Sequence, residues 1–229
     1  MYKRQRLVRV IISKSNGIPL ANLKATLEQF QIEIPEEAYA SLKHYCQALW
    51  EINQTMNLTR HTSYELFVTR DLIDTLELSK LIPEGKQVLD VGSGGGVPGM
   101  LLQILRPDLK VALAESIGKK AQALGVIADA VGLEMEIYHC RAEDLLQDFR
   151  YDYTTARAVG PLTKFCTWFE DVWPSIGRLL AVKGPRWIDE KNAAAEKGML
   201  KKLDLRVVAQ YPTPGTDWES VILQIKPSR

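Results

Sequence analysis

The spacing of hydrophobic positions changes at about residue 84 of the chain. Before this point apolar residues recur at steps of three and four, which is the spacing of one buried helix face. Pro19 and Pro35 each suit the first turn of a helix, and Ser63 suits a helix cap. The stripes are Ala38, Leu42, Cys46 and Leu49, and then Leu66, Phe67, Ile73 and Leu76. Residues 1–84 are therefore predicted to form a helical N-terminal subdomain.

From residue 85 onwards, short apolar runs alternate with helical stretches. The predicted strands are residues 87–91, 111–115, 135–139, 153–156, 178–183, 203–211 and 219–225. The predicted helices are residues 97–105, 119–131, 142–147 and 162–172. Strands that alternate with helices and end in a strand pair are typical of an α/β fold with a doubly wound, mostly parallel sheet. We therefore predict a seven-stranded, Rossmann-like core over residues 85–229.

A glycine-rich loop follows the first predicted strand. Residues 90–99 read Asp-Val-Gly-Ser-Gly-Gly-Gly-Val-Pro-Gly, with five glycines in the last eight positions. Clustered glycines mark left-handed backbone or backbone that lies close to a ligand. In a doubly wound sheet, ligands bind outside the carboxyl ends of the strands, where this loop lies. The sequence therefore predicts a nucleotide-type binding site, and a flexible surface loop is the alternative.

Two classes of cofactor fit this loop. The motif Gly94-x-Gly96-x-x-Gly99 satisfies the dinucleotide fingerprint, and Glu115 follows 21 residues after Gly94, where a ribose ligand is expected. However, the dinucleotide motif has its first glycine directly at the strand end, where this chain has Asp90. An acid there would repel a diphosphate, but it can organise the loop and face an ammonium group. The motif Asp90-x-Gly92-x-Gly94-x-Gly96 instead resembles the first motif of S-adenosylmethionine-dependent methyltransferases, which we favour.

Polar side chains at the ends of the following strands complete the predicted site. Glu115 ends the second strand, where a carboxylate can accept both ribose hydroxyls, and Glu143 follows the third strand, where an acid lies near an adenine. The structural alternatives are an exposed strand end for Glu115 and a favourable helix N-terminus for Glu143. Arg157 and Lys183 end the fourth and fifth strands at the edge of the same cleft. Arg157 can contact a base or cofactor, although a structural ion pair is its alternative.

Several kinds of chemistry are not indicated by the sequence. The Asn-Pro-Pro-Tyr segment and the Pro-Cys nucleophile of other nucleic-acid methyltransferases are missing after the fourth strand, and Cys166 is expected to pack in the next helix. The three histidines, His44, His61 and His139, are too scattered for a metal site, so we expect no metal.

Composition narrows the class of protein. A net charge of +1 excludes a polycation, although two basic sets could contact phosphates or serve only solubility. They are Lys3, Arg4, Arg6, Arg9, Lys14 and Lys24, and Lys183, Arg186, Lys191, Lys197, Lys201, Lys202 and Arg206. No apolar run reaches the ~20 residues of a membrane span. Three spaced cysteines do not suggest a disulfide framework, and Arg9 interrupts any signal-like segment, so we expect a cytoplasmic protein. We expect it to be a monomer.

Further motifs follow in the order of a known family. They are Asn57-Leu58-Thr59, Arg70 with Asp74-Thr75, the loop 90–99, residues 115–120, Arg141-Ala142-Glu143, residues 156–159 and Lys183-Gly184. Over roughly residues 40–226 the chain resembles the RsmG/GidB family of bacterial small-subunit rRNA guanine-N7 methyltransferases. Asp71 departs from the family, which typically has a histidine after the arginine.

The resemblance implies the roles of individual residues. In the family, the positions that match Gly92, Val97, Ala142, Glu143 and Arg157 bind the methyl donor, and Glu115 is placed for its ribose. Together with the motif residues, the expected cofactor-binding set is Asp90, Gly92, Gly94, Gly96, Val97, Glu115, Ala142, Glu143 and Arg157. Arg157 and Lys183 are the expected catalytic residues.

The implied reaction is methyl transfer from S-adenosylmethionine to N7 of a guanine in the decoding region of 16S rRNA, with this RNA or the small ribosomal subunit as the partner. Guanine N7 already carries an acceptor lone pair, so it can attack the methyl group in line without a general base. This agrees with the missing motifs. The alternatives are a small-molecule methyltransferase of the same fold, an NAD-dependent oxidoreductase and a donor-binding module without catalysis.

Overall fold

The computed structural model describes residues 23–228 and contains a seven-stranded sheet in the order β3-β2-β1-β4-β5-β7-β6. The strands are β1 (Gln87–Val91), β2 (Lys110–Ala114), β3 (Glu136–Tyr138), β4 (Tyr151–Arg157), β5 (Ile176–Lys183), β6 (Leu203–Pro212) and β7 (Glu219–Pro227). The first five are parallel, and β7 lies antiparallel between β5 and β6. Successive strands are added on one side of β1 up to β3 and on its other side from β4 onwards, which places the topological switch point between β1 and β4.

Helices cover both faces of this sheet. They are α1 (Leu23–Gln29), α2 (Glu36–Asn53), α3 (Tyr64–Leu66), α4 (Ile73–Ser79), α5 (Gly99–Leu105), α6 (Gly118–Val131), α7 (Ala142–Asp148), α8 (Leu162–Trp168) and α9 (Trp187–Glu196). A 3₁₀ turn (Trp173–Ser175) precedes β5. A π-helical turn (Phe67–Leu72) joins α3 to α4, and such turns are frequent at functional sites.

The N-terminal helices form where the hydrophobic stripes predicted them, although Leu66 of the second stripe is exposed. All four residues of the first stripe, Ala38, Leu42, Cys46 and Leu49, are buried on α2. Ser63 caps α3, because its side-chain oxygen accepts a hydrogen bond from the Leu66 N–H at 3.2 Å. Pro19 and the first five cations of the basic N-terminal set lie outside the described residues.

The core has two layers, one on each face of the sheet. Alternate residues of a strand enter opposite layers, as Val88 and Leu89 of β1 do. Helices α1 to α6 pack on the first face, and α7 to α9 pack on the second. The helices before residue 84 thus share one continuous core with α5, α6 and the sheet, so the division between 1–84 and 85–229 stays a prediction.

The predicted elements are confirmed with ends that shift by at most four residues, and the doubly wound α/β fold is confirmed. The sequence prediction missed α9 and the 3₁₀ turn. Helix α9 carries no apolar stripe, since Ala194 is its buried residue, and periodicity therefore gave no signal. Within residues 23–228, no helix combines the length and apolarity that crossing a bilayer requires.

Candidate functional site

The predicted site residues meet at the carboxyl ends of the parallel strands, around two neighbouring cavities. A cavity of about 100 Å³ is lined by Gly92, Ala142, Glu143 and Val159, among others. A larger cleft of about 660 Å³ is lined by Arg157 and Lys183 together with Asp74. The segment from Ala158 to Gly160 contributes to both, because Val159 faces the small cavity and its two neighbours line the cleft.

The glycine loop folds in a conformation that side chains disfavour. Gly92, Gly94 and Gly96 have φ angles of +65°, +55° and +93°. A Cβ atom on Gly92 would lie 3.1 Å from both γ-methyl carbons of Val159, at the wall of the small cavity. The bare backbone of Gly92 therefore keeps this cavity open. Val97, also in the predicted set, is half-buried against the core below the loop.

Asp90 organises this loop from inside the protein. Its side chain has no exposed surface. One carboxylate oxygen accepts a hydrogen bond from the Thr155 hydroxyl at 2.8 Å, and the other accepts one from the Gly99 N–H at 3.2 Å. These bonds tie β1 to β4 and to the start of α5. Asp90 thus organises the loop as expected, and it lines neither cavity. A contact of Asp90 with the ammonium group of a ligand stays a prediction.

Burial gives Asp90 a testable effect on stability. Burial raises the pKa of Asp90 to about 6 against the opposing hydrogen bonds from Thr155, Ser93 and Gly99. Because the folded-state pKa exceeds the unfolded value, the stabilisation is complete below about pH 4 and is lost as the pH rises through about 6. We expect wild type to lose about 2 kcal/mol of unfolding free energy relative to Asp90→Asn between about pH 4 and about pH 7. Urea unfolding at both pH values measures this difference, and a constant difference would contradict it.

Glu115 joins the end of β2 to the same loop. Its carboxylate accepts hydrogen bonds from the Gly94 N–H at 3.0 Å and the Ile117 N–H at 2.8 Å, and its side chain is buried. Both carboxylate oxygens thus already accept a hydrogen bond from a backbone N–H group, although each retains a further lone pair. A contact of Glu115 with ribose hydroxyls stays a prediction.

The same contacts argue against a diphosphate ligand. A dinucleotide loop needs free backbone N–H groups to hold phosphates. Here the N–H groups of Gly94 and Gly99 point at the carboxylates of Glu115 and Asp90, and the Gly96 N–H donates to the Ser93 carbonyl. All three glycines of the dinucleotide fingerprint therefore have occupied donors. The loop suits a ligand that carries no diphosphate.

Helix α2 covers the outer side of the glycine loop, which the sequence did not predict. The Tyr45 hydroxyl donates a 2.7 Å hydrogen bond to the Gly95 carbonyl. A Cβ atom on Gly95 would lie 3.2 Å from Leu49, so the loop and the helix are in direct contact. The N-terminal helices therefore help to fix the shape of the loop.

On the opposite side of the small cavity, Ala142 begins α7 and is buried, whereas Glu143 is half-exposed and pairs with Arg141 at 3.1 Å. Ala142, Glu143 and Gly92 all line this cavity. The structure therefore brings together three of the predicted cofactor-binding residues. Val159 was not predicted, although it follows Arg157 in the segment after β4.

Arg157 is held between two carboxylates. Its Nη1 lies 2.7 Å from the Asp71 carboxylate, and its Nε donates to the Asp74 carboxylate at 2.7 Å. The Tyr211 hydroxyl donates to the other Asp74 oxygen at 2.8 Å, and His61 Nδ1 lies 2.7 Å from the Asp71 oxygen that Arg157 contacts. We call these five residues, His61, Asp71, Asp74, Arg157 and Tyr211, the Arg157 cluster.

Opposing effects act on the charges of the Arg157 cluster. Burial would lower the pKa of Arg157, but Asp71 and Asp74 outweigh burial and raise it. Burial raises the pKa of Asp74, against the attraction of Arg157 and the hydrogen bond from Tyr211. Arg157 is thus a permanent cation that lines the cleft in a fixed orientation. Both the ion-pair alternative and a role at the cleft are compatible with this position.

Lys183 is buried at the end of β5. Its ammonium group donates to the Glu190 carboxylate at 2.8 Å and to the Gly160 carbonyl, and it lies 5.0 Å from the Phe165 ring centroid. Glu190 also accepts the Leu162 N–H at 3.0 Å. Lys183 therefore joins α9 to the segment that separates the two cavities. Its catalytic role stays a prediction.

The second basic set is not one surface. Lys183 and Arg186 line the cleft at the carboxyl ends of the strands. Because β6 runs parallel to β5, its start lies at the opposite end of the sheet, with Lys201 and Lys202 directly before it. The set therefore divides between the two ends of the sheet, and its contact with phosphates stays a prediction. Exposed cations at the carboxyl-end rim include Lys119, Arg141, Lys164 and Arg186.

Among the described residues, no group of three or more His, Cys, Asp or Glu side chains could hold a metal ion. Cys46 and Cys166 are buried without a disulfide, and Cys166 packs in α8 as expected.

Comparison with protein families identifies close relatives. Residues 38–214 match the profile of the GidB family, described as rRNA small subunit methyltransferase G. The ribosomal RNA small subunit methyltransferase G of Rhodopirellula baltica is 53% identical over 192 residues, which cover 84% of this chain and 83% of that protein. The protein of the same name from Halorhodospira halophila is 34% identical over 189 residues, which cover 82% of this chain and 89% of that one.

Solved structures of low sequence identity share the fold. A mutant of MtNAS in complex with S-adenosylmethionine superposes with a TM-score of 0.54 at 14% identity, covering 81% of this chain and 73% of that one. M. capricolum TrmK in complex with S-adenosyl-homocysteine gives a TM-score of 0.51 at 12% identity, covering 68% of each chain.

Proposed function

Because this chain belongs to the rRNA small subunit methyltransferase G family, we propose that it methylates N7 of a guanine in the decoding region of 16S rRNA. Membership of the family makes the chain an S-adenosylmethionine-dependent rRNA methyltransferase, with small-subunit rRNA as its substrate. This sets aside the NAD-dependent oxidoreductase, in agreement with the occupied N–H groups of the loop. The proposal concerns the methylated atom, its region and the mechanism of transfer.

We place the nucleoside part of the methyl donor at the small cavity. Its floor is the bare backbone of Gly92, which a Cβ atom would fill, and its walls include Ala142, Glu143 and Val159. Glu115 and Asp90 do not line this cavity. They support it indirectly, because their carboxylates accept hydrogen bonds from N–H groups of the glycine loop. When bound, the donor supplies an electrophilic methyl group on a positively charged sulfur.

The observation that carries the proposal is the adjoining cleft, in which both buried cations are already paired. Arg157 pairs with Asp74, and Lys183 pairs with Glu190. Among the described residues that line this cleft, there is no histidine. The carboxylates of this cleft are Asp74 and Glu190, each held by a cation, and Asp189. Attack by a guanine N7 lone pair requires none of them as a general base.

The residues of the cleft then act by orientation and charge. Collinear placement of nitrogen, methyl carbon and sulfur can contribute roughly 7–11 kcal/mol to lowering the barrier. Methylation moves positive charge onto the guanine. Asp71 and Asp74 together carry one more formal charge than Arg157 neutralises, and Asp74 lines the cleft. This surplus negative charge supports the base as it becomes cationic.

The reaction is tested with labelled donor and unmodified small-subunit RNA or subunits. We expect one methyl group per RNA, located by nucleoside mass spectrometry and by strand cleavage specific for N7-methylguanine. A label on another atom, or in another region of the RNA, would refute the proposed position while leaving rRNA methylation itself intact. Labelling of metabolite extracts without labelling of RNA would favour the small-molecule alternative.

RNA binding at the rim of the cleft is expected to depend strongly on salt. Replacing Lys119, Lys164 and Arg186 with Gln should make the slope of log affinity against log salt shallower by about 2 units, since each phosphate contact contributes about 0.7 on single strands. The matched control replaces Lys197, Lys201 and Lys202 with Gln, because they are exposed near the other end of the sheet. Filter binding over a salt series measures both slopes. Equal slopes for the two triple variants would contradict the rim as the docking surface.

A further inference from the structure

The Arg157 cluster contains a histidine that the reaction described above does not use. His61 Nδ1 and Arg157 Nη1 both lie 2.7 Å from one oxygen of Asp71. An ionised carboxylate only accepts hydrogen bonds, so Nδ1 of His61 must carry a hydrogen and donate it. Nδ1 is the donor in the cationic ring and in one tautomer of the neutral ring. The geometry is therefore compatible with either charge of His61.

His61 is fixed in this position by its own backbone. Its carbonyl accepts the Trp50 indole N–H at 2.7 Å, and its N–H donates to the Thr59 hydroxyl at 2.9 Å. The His61 side chain is 28% exposed, whereas that of Asp71 is 3% exposed. His61 therefore links a buried carboxylate to solvent, and it can exchange a proton without any movement of the buried members.

Asp71 connects His61 to the cleft. Its oxygen holds Arg157 Nη1 from one side, Asp74 holds Nε from the other, and Asp74 and Arg157 line the cleft. The placement of Asp71 therefore contributes to the orientation of the guanidinium where methyl transfer takes place.

We propose that His61 and Asp71 are positioning residues for Arg157 during methyl transfer. Asp71 orients the guanidinium from the side opposite to Asp74, and His61 orients Asp71 by donating a hydrogen bond from Nδ1. The inference rests on the proposed function only in placing the transferred methyl group at this cleft.

The test compares kcat and KM of rRNA methylation at one pH. His61→Ala removes the donor and should lower kcat about ten-fold, with KM for RNA unchanged within about two-fold. Asn is the matched substitution for His61, because its amide can donate from the position of Nδ1. His61→Asn should therefore recover most of the wild-type kcat.

Two further variants separate positioning from general stability. His44→Asn, on the exposed side of α2, should keep the wild-type kcat. His61→Gln carries its amide at the position of Nε2 and should not restore kcat. If His61→Ala fails to fold, as shown by circular dichroism, the comparison of His61→Asn with His61→Gln decides.

The inference is overturned if folded His61→Ala keeps the wild-type kcat, or if His61→Asn is as slow as His61→Gln. A change in KM alone would also overturn it, since that would indicate a histidine that only binds RNA phosphate. These readouts follow total methyl transfer to RNA and do not depend on the atom that is methylated. A failure of the N7 assignment is therefore distinguishable from a failure of this inference.

Discussion

Replacing Arg157 with Met is expected to lower kcat/KM for rRNA methylation by at least about 100-fold. Arg157 is the cation that lines the cleft beside the segment from Ala158 to Gly160, and two carboxylates fix its orientation. Met keeps much of the side-chain volume but has no charge. Although the substitution leaves more negative charge in the cluster, the loss is expected mainly in kcat, because Asp74 is no longer held in place at the cleft by the Arg157 guanidinium. Steady-state kinetics with saturating donor and varied RNA separate kcat from KM.

The same substitution is expected to destabilise the fold, and this must be separated from catalysis. Removing one partner of a buried ion pair costs about 3–5 kcal/mol, because the other charge stays buried. Arg157→Met leaves the Asp71 and Asp74 carboxylates without their cation. The double variant Asp71→Asn with Arg157→Met removes one of these two charges, so it should regain part of the lost free energy of unfolding. It should regain no activity. A double variant that recovers activity along with stability would contradict a direct role of Arg157 at the cleft.

Arg150→Met is the matched control. Arg150 is exposed at the start of β4, at the opposite end of the same strand, and donates to the Pro174 carbonyl at 2.9 Å. Its loss should leave kcat unchanged. Equal effects of the two substitutions on kcat would mean that the activity responds to stability alone.

The fold could be predicted because its signals are local. The stripe on α2 and the short apolar strands each lie within fewer than about 20 consecutive residues, where periodicity is informative. Helix α9 could not be predicted this way, because its one buried residue, Ala194, defines no stripe. The half-exposed Trp187 and Ile188 at its start gave no helical period either.

The functional site also has a part that the sequence could predict and a part that it could not. The glycine loop and Glu115 are recognisable because a contiguous motif and a strand end are visible in the sequence. The Arg157 cluster is not, because Arg157 and Asp74 are 83 residues apart and Tyr211 and Asp74 are 137 residues apart. Asp71 was noticed only as a departure from the family, and its pairing with His61 requires the fold. The burial of Asp90 was not predictable for a related reason: the sequence does not reveal that Thr155 and Gly99 donate hydrogen bonds to its carboxylate.

Gly92→Ala is expected to raise the Kd for S-adenosylmethionine by at least about ten-fold. A Cβ atom at this position would lie 3.1 Å from both γ-methyl carbons of Val159, on the floor of the cavity of about 100 Å³. In so small a cavity a methyl group displaces ligand atoms that have no alternative location. Isothermal titration calorimetry with S-adenosylmethionine measures the effect directly.

Gly132→Ala is the control that separates weaker donor binding from the effect of backbone strain. Gly132 has a φ angle of +76° at the end of α6, and a Cβ atom there would meet nothing within 4 Å. Both substitutions carry the left-handed penalty of about 1–2 kcal/mol in stability. Only Gly92→Ala adds an atom to the cavity, so only it should change the Kd. Similar Kd values for the two variants would contradict the placement of the donor against Gly92.

A second substitution at Val159 distinguishes two causes of weaker donor binding. If the new Cβ atom acts by pushing Val159 away, Gly92→Ala combined with Val159→Ala should restore the wild-type Kd, because the contact at 3.1 Å is then gone. If the Cβ atom occupies space that the donor itself needs, the double variant should stay at least as weak as Gly92→Ala. We expect the second result, since Val159 forms the facing wall and its truncation also removes donor contacts. Full restoration would mean that Gly92 shapes the cavity only through Val159.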